Sequence, residues 1–425
     1  MSDVQVAWKR QLEHPDEAFF AAFAARLQEP KGLRDGVREA VKALVPQIAW
    51  ESYLPHVPHG LLGLGAVFQL RPLLDEAGFH RVLATQLHAF AHEGRRRTAW
   101  DISKGSGHWP NVEMALARHL PTLAYGEMQG IETPAEADFR RIGQTIAHDM
   151  ANMGHKAVMS HGLRKLFVEL DRPKATGRRL LGITAWLAAS EPEDRFWSQR
   201  ASKRVGETMT VPDSGGRFED EGAAVREICD FGLVDMLNAF TARIQSGASQ
   251  SALLQALVLA AAEKQLDARR DLEGKTSWIF SHLATVAEDH GSDALVWCQA
   301  AALVNLFPTD EPEGRVRAKT PSGSVMDSDL VEAILDAEPE RAMGLAGALP
   351  RDSALRGLAE AASQNDPAFN HSHHLLAVAA ASKLASRLGD DARAALFSAV
   401  AKSLANSQGS SDLGRKAEKA LRQAP

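Results

Sequence analysis

NHSHHLLAVAAASKLASRL, residues 370–388, decides how the rest of the chain is read. Past its first five residues it is rich in alanine and leucine, a composition that favours helix and supplies an apolar face. Three histidines, His371, His373 and His374, stand within four positions at its mouth. Imidazoles gathered at the start of an apolar helix serve either as ligands or as caps and packing groups. The surrounding sequence has to separate those readings.

The same composition runs through the chain. Alanine, leucine, arginine and glutamate dominate, and the β-branched and aromatic alternation that marks strands is nearly absent, so the expected fold class is all-α. Helices are predicted over 16–28, 33–44, 59–74, 78–93, 111–119, 134–154, 155–170, 176–190, 221–245, 249–265, 276–289, 292–306, 328–347, 352–363, 367–388, 390–406 and 411–422. Stretches rich in Pro, Gly and charge at 212–222 and 307–324, with a third irregular segment at 98–111, read as inserted loops. None has the look of a long flexible linker, so the expectation is one continuous body over 1–425.

A histidine opens or enters an apolar helix four times: His59 in HVPHGLLGLGAVFQL, His155 in NMGHKAVMSHGLRKL, His282 in WIFSHLATVAEDHG and His374 in HSHHLLAVAAASKL. Each is followed by a second amphipathic helix. The histidines stand 96, 127 and 92 residues apart, the irregular spacing of diverged repeats with loops inserted. A bent array or ring of helical hairpins, with these helices around a histidine-lined cavity, is the expected architecture.

The bulk numbers set the outer limits. With 425 residues, 45% hydrophobic and 24% charged, the composition is that of a globular protein. No apolar run reaches the length of a membrane span, and no secretory signal is visible at the start, so a cytoplasmic, non-membrane protein is expected. The net charge of −6 argues against a general nucleic-acid binder, and the run Arg95, Arg96 and Arg97 reads as a solvated helix end. Two cysteines, Cys229 and Cys298, are too few and too far apart for a thiolate site, so any metal would rest on histidine, carboxylate and water.

The sharpest internal echo is HxxH, as His56-Val57-Pro58-His59 and His371-Ser372-His373-His374. Residues three apart on a helix share a face, so each pair can converge on one cation, and the two pairs together could complete a site. Pro58 and Pro367 each sit where a helix can begin, which puts His59 in a first turn and His371 and His374 in the turns after Pro367. Caps at Asn370 and Ser372 provide the alternative, a purely structural role. His148, Asn152 and His155 fall on one stripe if 134–154 and the next helix are continuous, as a cavity lining would. Trp278 and His282, four apart, could wall an aromatic pocket. His88 and His92 share a face but sit at a helix end, where a partly charged ring suits the dipole.

Some signatures are missing. GLLGLGAVF contains GxxGxG without a preceding strand, so no dinucleotide fold is supported, and neither GxSxG nor HExxH occurs. His148-Asp149 is the adjacent pair that all-α metal phosphohydrolases use.

Taken together, HGLLGLGAVFQLRPLL (59–74), GASQSALLQALVLAAAEKQLD (247–267), KTSWIFSHLATVAEDHG (275–291) and NHSHHLLAVAAASKL (370–384) resemble the questin oxidase-like proteins. These are helical oxidoreductases whose named member opens an anthraquinone ring by a Baeyer-Villiger type oxygenation without a recognisable flavin fold. The resemblance implies a histidine-lined pocket for an aromatic or polyketide-like small molecule, with NADPH as reductant. Carried onto this chain, it makes His59, His155, His282 and His374 the catalytic candidates, with His56 and His371 beside them as further metal ligands. Iron, zinc or copper would suit such a set. Two other functions stay open: a metal-dependent hydrolase built on His148 and Asp149, and a non-enzymatic helical scaffold in which the histidines only cap and pack.

Overall fold

A computed structural model describes residues 2–48, 58–93, 102–190, 196–205, 209–216, 218, 220–267, 273–307, 318–321, 324–365, 367, 372–409 and 412–423. Among them the fold is all-α, with isolated bridges such as Thr210 to Asp293 and no named strand. The helices are α1 (Asp3–Glu13), α2 (Phe19–Leu27), α3 (Gly32–Leu44), α4 (His59–Leu70), α5 (Glu76–His92), α6 (Trp109–Ala117), α7 (Pro121–Gly130), α8 (Glu136–Thr145), α9 (His155–Glu169), α10 (Lys174–Ala189) and α11 (Phe196–Ser202). They continue as α12 (Glu221–Asp230), α13 (Leu233–Gln245), α14 (Gln250–Asp267), α15 (Glu273–Asp289), α16 (Ala294–Leu306), α17 (Asp327–Leu335), α18 (Pro339–Ala348), α19 (Arg351–Gln364), α20 (His373–Ala385), α21 (Asp390–Asn406) and α22 (Leu413–Gln423). None of the described helices is long and apolar enough to cross a membrane.

Local chemistry sets many of the ends. Asp75, Asp220 and Asp293 each accept a backbone N–H at the start of α5, α12 and α16, the bond an N-cap supplies to an otherwise orphaned donor. Ser2 and Gln5 close a reciprocal box over α1, a helix the sequence reading leaves out. Prolines at the first turns of α6, α7 and α18 start those helices without losing a hydrogen bond.

Four long predicted helices are interrupted. The stretch 221–245 divides at Phe231 and Gly232, and 328–347 divides at Ala337, whose φ of +56° turns the chain ahead of Pro339. The predicted helix 134–154 stops at Thr145. A short 3-10 turn then covers Ala151–Gly154, and Met153 and Gly154 have φ of +60° and +78°, so α9 starts afresh at His155. The helix predicted from Pro367 begins only at His373, because Ser372 adopts a φ of +62°.

The helices gather into two compact units. Residues Met1–Glu193, Asp366–Ser372 and Ser410–Pro425 form the first, with α1–α10 and α22; Asp194–Asn365 and His373–Gly409 form the second, with α11–α21. Within the first unit α4 packs on α5 and α9, and α9 on α8 and α10. Within the second, α15 packs on α14, α16 and α20, and α20 on α19 and α21. Each histidine-bearing helix therefore touches the helix that follows it.

Glycines explain how α4 and α9 approach so closely. A Cβ built on Gly65 would lie 2.9 Å from the carbonyl oxygen of Gly162, and one on Gly162 would lie 2.5 Å from Leu62 Cδ1. Gly63 abuts Gln86 and Ser372 in the same way. The GLLGLG run is a helix-packing surface.

Candidate metal centre and the histidine environments

His59 is the first residue of α4 and His155 the first of α9. Since Gly65 meets Gly162 six and seven residues further on, the two helices run parallel and bring their first turns together. The two rings meet edge to face with centroids 5.8 Å apart. A ring nitrogen of each lies within 4.8 Å of the other, near enough for a modest rotamer adjustment to bring both to one cation. His155 is buried and His59 half-buried.

A carboxylate accepts a backbone N–H at the start of α4. Glu93, just past the end of α5, accepts the Gly60 N–H at 3.1 Å, one residue along from His59. Neither α4 nor α9 receives a side-chain cap from its own N-cap residue. Two imidazoles with ring nitrogens within 4.8 Å of one another are a donor pair suited to a divalent first-row metal.

Below this site a polar tie fixes α4 to α5. The Gln86 amide donates to Gly60 O at 2.7 Å, and Ser372 Oγ donates to Gln86 Oε1 at 3.0 Å. Gln86 is fully buried. The hydroxyl thereby holds the left-handed Ser372 in place, close against Gly63 of α4. Gln86, Glu93 and Ser372 carry no motif that marks them in sequence.

His374 has a different fate. Gly409 N–H donates to Asn365 Oδ1 at 3.2 Å, which orients the amide so that its nitrogen donates to His374 Nδ1 at 2.6 Å. His374 Nε2 then donates to Ser407 Oγ at 3.2 Å, and that hydroxyl donates to Ser403 O at 2.5 Å. Each acceptor fixes the next donor, so the ring is the neutral Nε2–H tautomer with both nitrogens committed. Burial pushes its pKa down to about 4. The expectation that His374 ligates a metal is corrected on this ground: it ties the start of α20 to the ends of α19 and α21.

His282 is 1% exposed in the middle of α15. Burial, with the nearby His290 adding to it, takes its pKa down to about 4. Among the described residues no trio of His, Cys, Asp or Glu ligand atoms includes it, so its expected part in a metal site finds no partners there. Trp278, one turn earlier, is 2% exposed with its ring 5.8 Å from that of His373. His56 and His371 lie outside the described residues, as does the side chain of Asn152.

The stripe of His148, Asn152 and His155 does not form, because the helix ends before His148 and restarts at His155. His148 is exposed. Asp149 instead holds Lys156, whose Nζ lies 2.5 Å from the carboxylate and donates to Ser190 O at 2.9 Å. Burial lowers the Lys156 pKa and Asp149 opposes it. Removing one partner of a buried ion pair strands the other charge. Asp149→Ala is expected to cost about 3 kcal/mol of folding free energy by urea denaturation, and unchanged stability would rule this role out.

His88 stacks on Phe20 at 5.1 Å and meets Phe19 edge-on, and its ring lies 4.3 Å from that of His92. Burial raises the thiols of Cys229 and Cys298 to about 12 and about 11, so neither offers a thiolate. Open clefts of about 470 and about 530 Å³ lie along 102–138 and are lined by the loop Ile102–Gly107 with parts of α6, α7 and α8, not by these histidines. No family model, curated protein or solved structure matches the chain.

Proposed function

We propose that the chain is a metal-dependent oxidoreductase acting on a small aromatic or polyketide-like carbonyl compound, with its reaction centre at the meeting of α4 and α9. The convergence of His59 and His155 carries this reading. The donor chemistry fits a bound cation: His59 and His155 would hold it. When bound, it would polarise a substrate carbonyl or activate oxygen.

The chain's own groups supply the rest. The N-termini of α4 and α9 favour negative charge developing on a substrate oxygen placed before them. An imidazole not engaged by the cation can hold or pass a proton near neutral pH. NADPH finds no comparable fit: the described residues form no strand-to-helix glycine turn, and the GLLGLG glycines are consumed in helix packing. It stays an implication of the family resemblance.

The hydrolase reading has less support, since the Asp149 carboxylate is engaged by Lys156 and His148 is exposed. The scaffold reading describes His374 well and leaves the His59–His155 convergence without a purpose.

Untagged protein equilibrated with Fe(II), Zn(II) or Cu(II) in turn and desalted is expected to retain about one equivalent of one of them. His59→Ala and His155→Ala should each lower retention by roughly tenfold or more while leaving the helical circular dichroism intact. Oxygen-dependent turnover of hydroxylated quinones should disappear in both variants. Wild-type protein that retains no metal, or variants that retain as much as wild type, would defeat the proposal.

A further inference from the structure

The second unit contains a buried polar group for which the reading above has no use. His282 is 1% exposed, and among the described residues neither ring nitrogen has a hydrogen-bond partner. Gln265, on the adjoining α14, repeats the situation: it is 0% exposed and neither side-chain amide atom is paired among the described residues. Buried polar groups are nearly always satisfied, because an unmet donor or acceptor costs on the order of a hydrogen bond or more. For His282, with both ring nitrogens unmet at 1% exposure, an occupant would supply the missing partner.

The surroundings limit what that occupant is. Ile279, Phe280, Leu283 and Val286 beside His282 are buried and apolar. The nearby hydroxyls are already spent: Ser281 donates to Leu376 O and Thr285 to Ser281 O. A lone water needs two to four polar partners and finds a poor set here. A metal needs companion ligands, and His282 belongs to no candidate ligand trio among the described residues. An ion would enter an apolar setting with no described counter-charge at His282. What remains is a neutral molecule with a mostly apolar body and a hydroxyl for the imidazole, and Trp278 on the same helical stripe offers an indole wall to an aromatic ring.

We propose that His282 anchors an internal site in the second unit for a small neutral aromatic molecule bearing a hydroxyl, of which phenol is the simplest example. The neutral imidazole takes the hydroxyl proton's hydrogen bond on one nitrogen. This site is independent of the His59–His155 centre and of any metal.

The test uses the full chain with phenol as probe and benzene as the isostere without a hydroxyl. Long-range ¹H–¹⁵N spectra of the histidine rings are expected to show the His282 nitrogens shifting saturably with phenol. Benzene should bind roughly tenfold more weakly, the worth of one hydrogen bond. His282→Leu should abolish the preference for phenol over benzene, and His282→Gln, which keeps a hydrogen-bonding end, should retain part of it if the leucine variant folds poorly. Unmoved His282 resonances in phenol, equal binding of the two probes, or a phenol-soaked crystal with only water at His282 would overturn the proposal.

Discussion

Gly65→Val is expected to destabilise the first unit and to remove its cation affinity together. The substituted Cβ would sit 2.9 Å from the Gly162 carbonyl oxygen, a backbone atom that cannot rotate away as a side chain can. Overpacking of this kind costs about 1–3 kcal/mol, more where backbone is the obstacle. Glycine's poor helix propensity works the other way, since replacing it inside a helix returns about 1 kcal/mol for alanine and less for a β-branched residue. The clash therefore outweighs the propensity gain. To relieve it α4 and α9 must separate, and His59 and His155 separate with them. Gly414→Ala, in α22 with nothing within 4 Å of the added carbon, serves as the control and should leave metal retention unchanged and stability equal or up to about 1 kcal/mol higher. Urea denaturation and metal retention measured on both variants provide the check; a Gly65→Val protein with wild-type values for both would show that the crossing is not close-packed.

A second large effect concerns acid. His282 and His374 are held neutral, with folded pKa values near 4 against an ordinary value of 6.5. The unfolded chain therefore binds more protons than the folded one between these limits. Stability from this source is complete above pH 6.5 and drains away as pH falls towards 4. Each ring accounts for about 3 kcal/mol over that window, an order-of-magnitude figure from the size of the shift. Denaturation midpoints measured at pH 7.5, 6, 5 and 4.5 should fall steeply below 6.5. His282→Leu should flatten that slope by about one proton's worth, roughly 1.4 kcal/mol per pH unit, whatever it does to stability at pH 7.5. A variant with the wild-type slope would mean that His282 is solvated or charged in the folded chain.

The two rings reach similar pKa values by different routes. His374 ends a directed chain of hydrogen bonds from Gly409 through Asn365 and on to Ser407 and Ser403. His282 is buried with neither nitrogen paired among the described residues. Sequence spacing could not tell them apart, because both enter apolar helices and the partners of His374 lie 9 and 33 residues away. The HxxH echo that pairs His59 with His374 meets the same limit: spacing does not show that both nitrogens of His374 are engaged by Asn365 and Ser407. What His59 meets is His155, whose place at the first turn of α9 follows the helix boundary expected at 154/155, although the preceding helix ends earlier, at Thr145.

The sequence by itself determined the all-α class and most helix positions, because these rest on short-range chemistry: aspartate caps at 75, 220 and 293, prolines opening first turns, and apolar runs without strand alternation. The boundary at 154/155 is legible, but the turns at 337 and 372 are not, since Ala337 and Ser372 take left-handed φ values under constraint from their surroundings. Only the tertiary structure decided which imidazoles meet and which are spent. Gly65 and Gly162 bring two helix starts into register, while amide and hydroxyl partners far along the chain consume the nitrogens of His374. Ligand chemistry depends on where lone pairs end up, and that is fixed by packing between distant segments, not by the residues on either side.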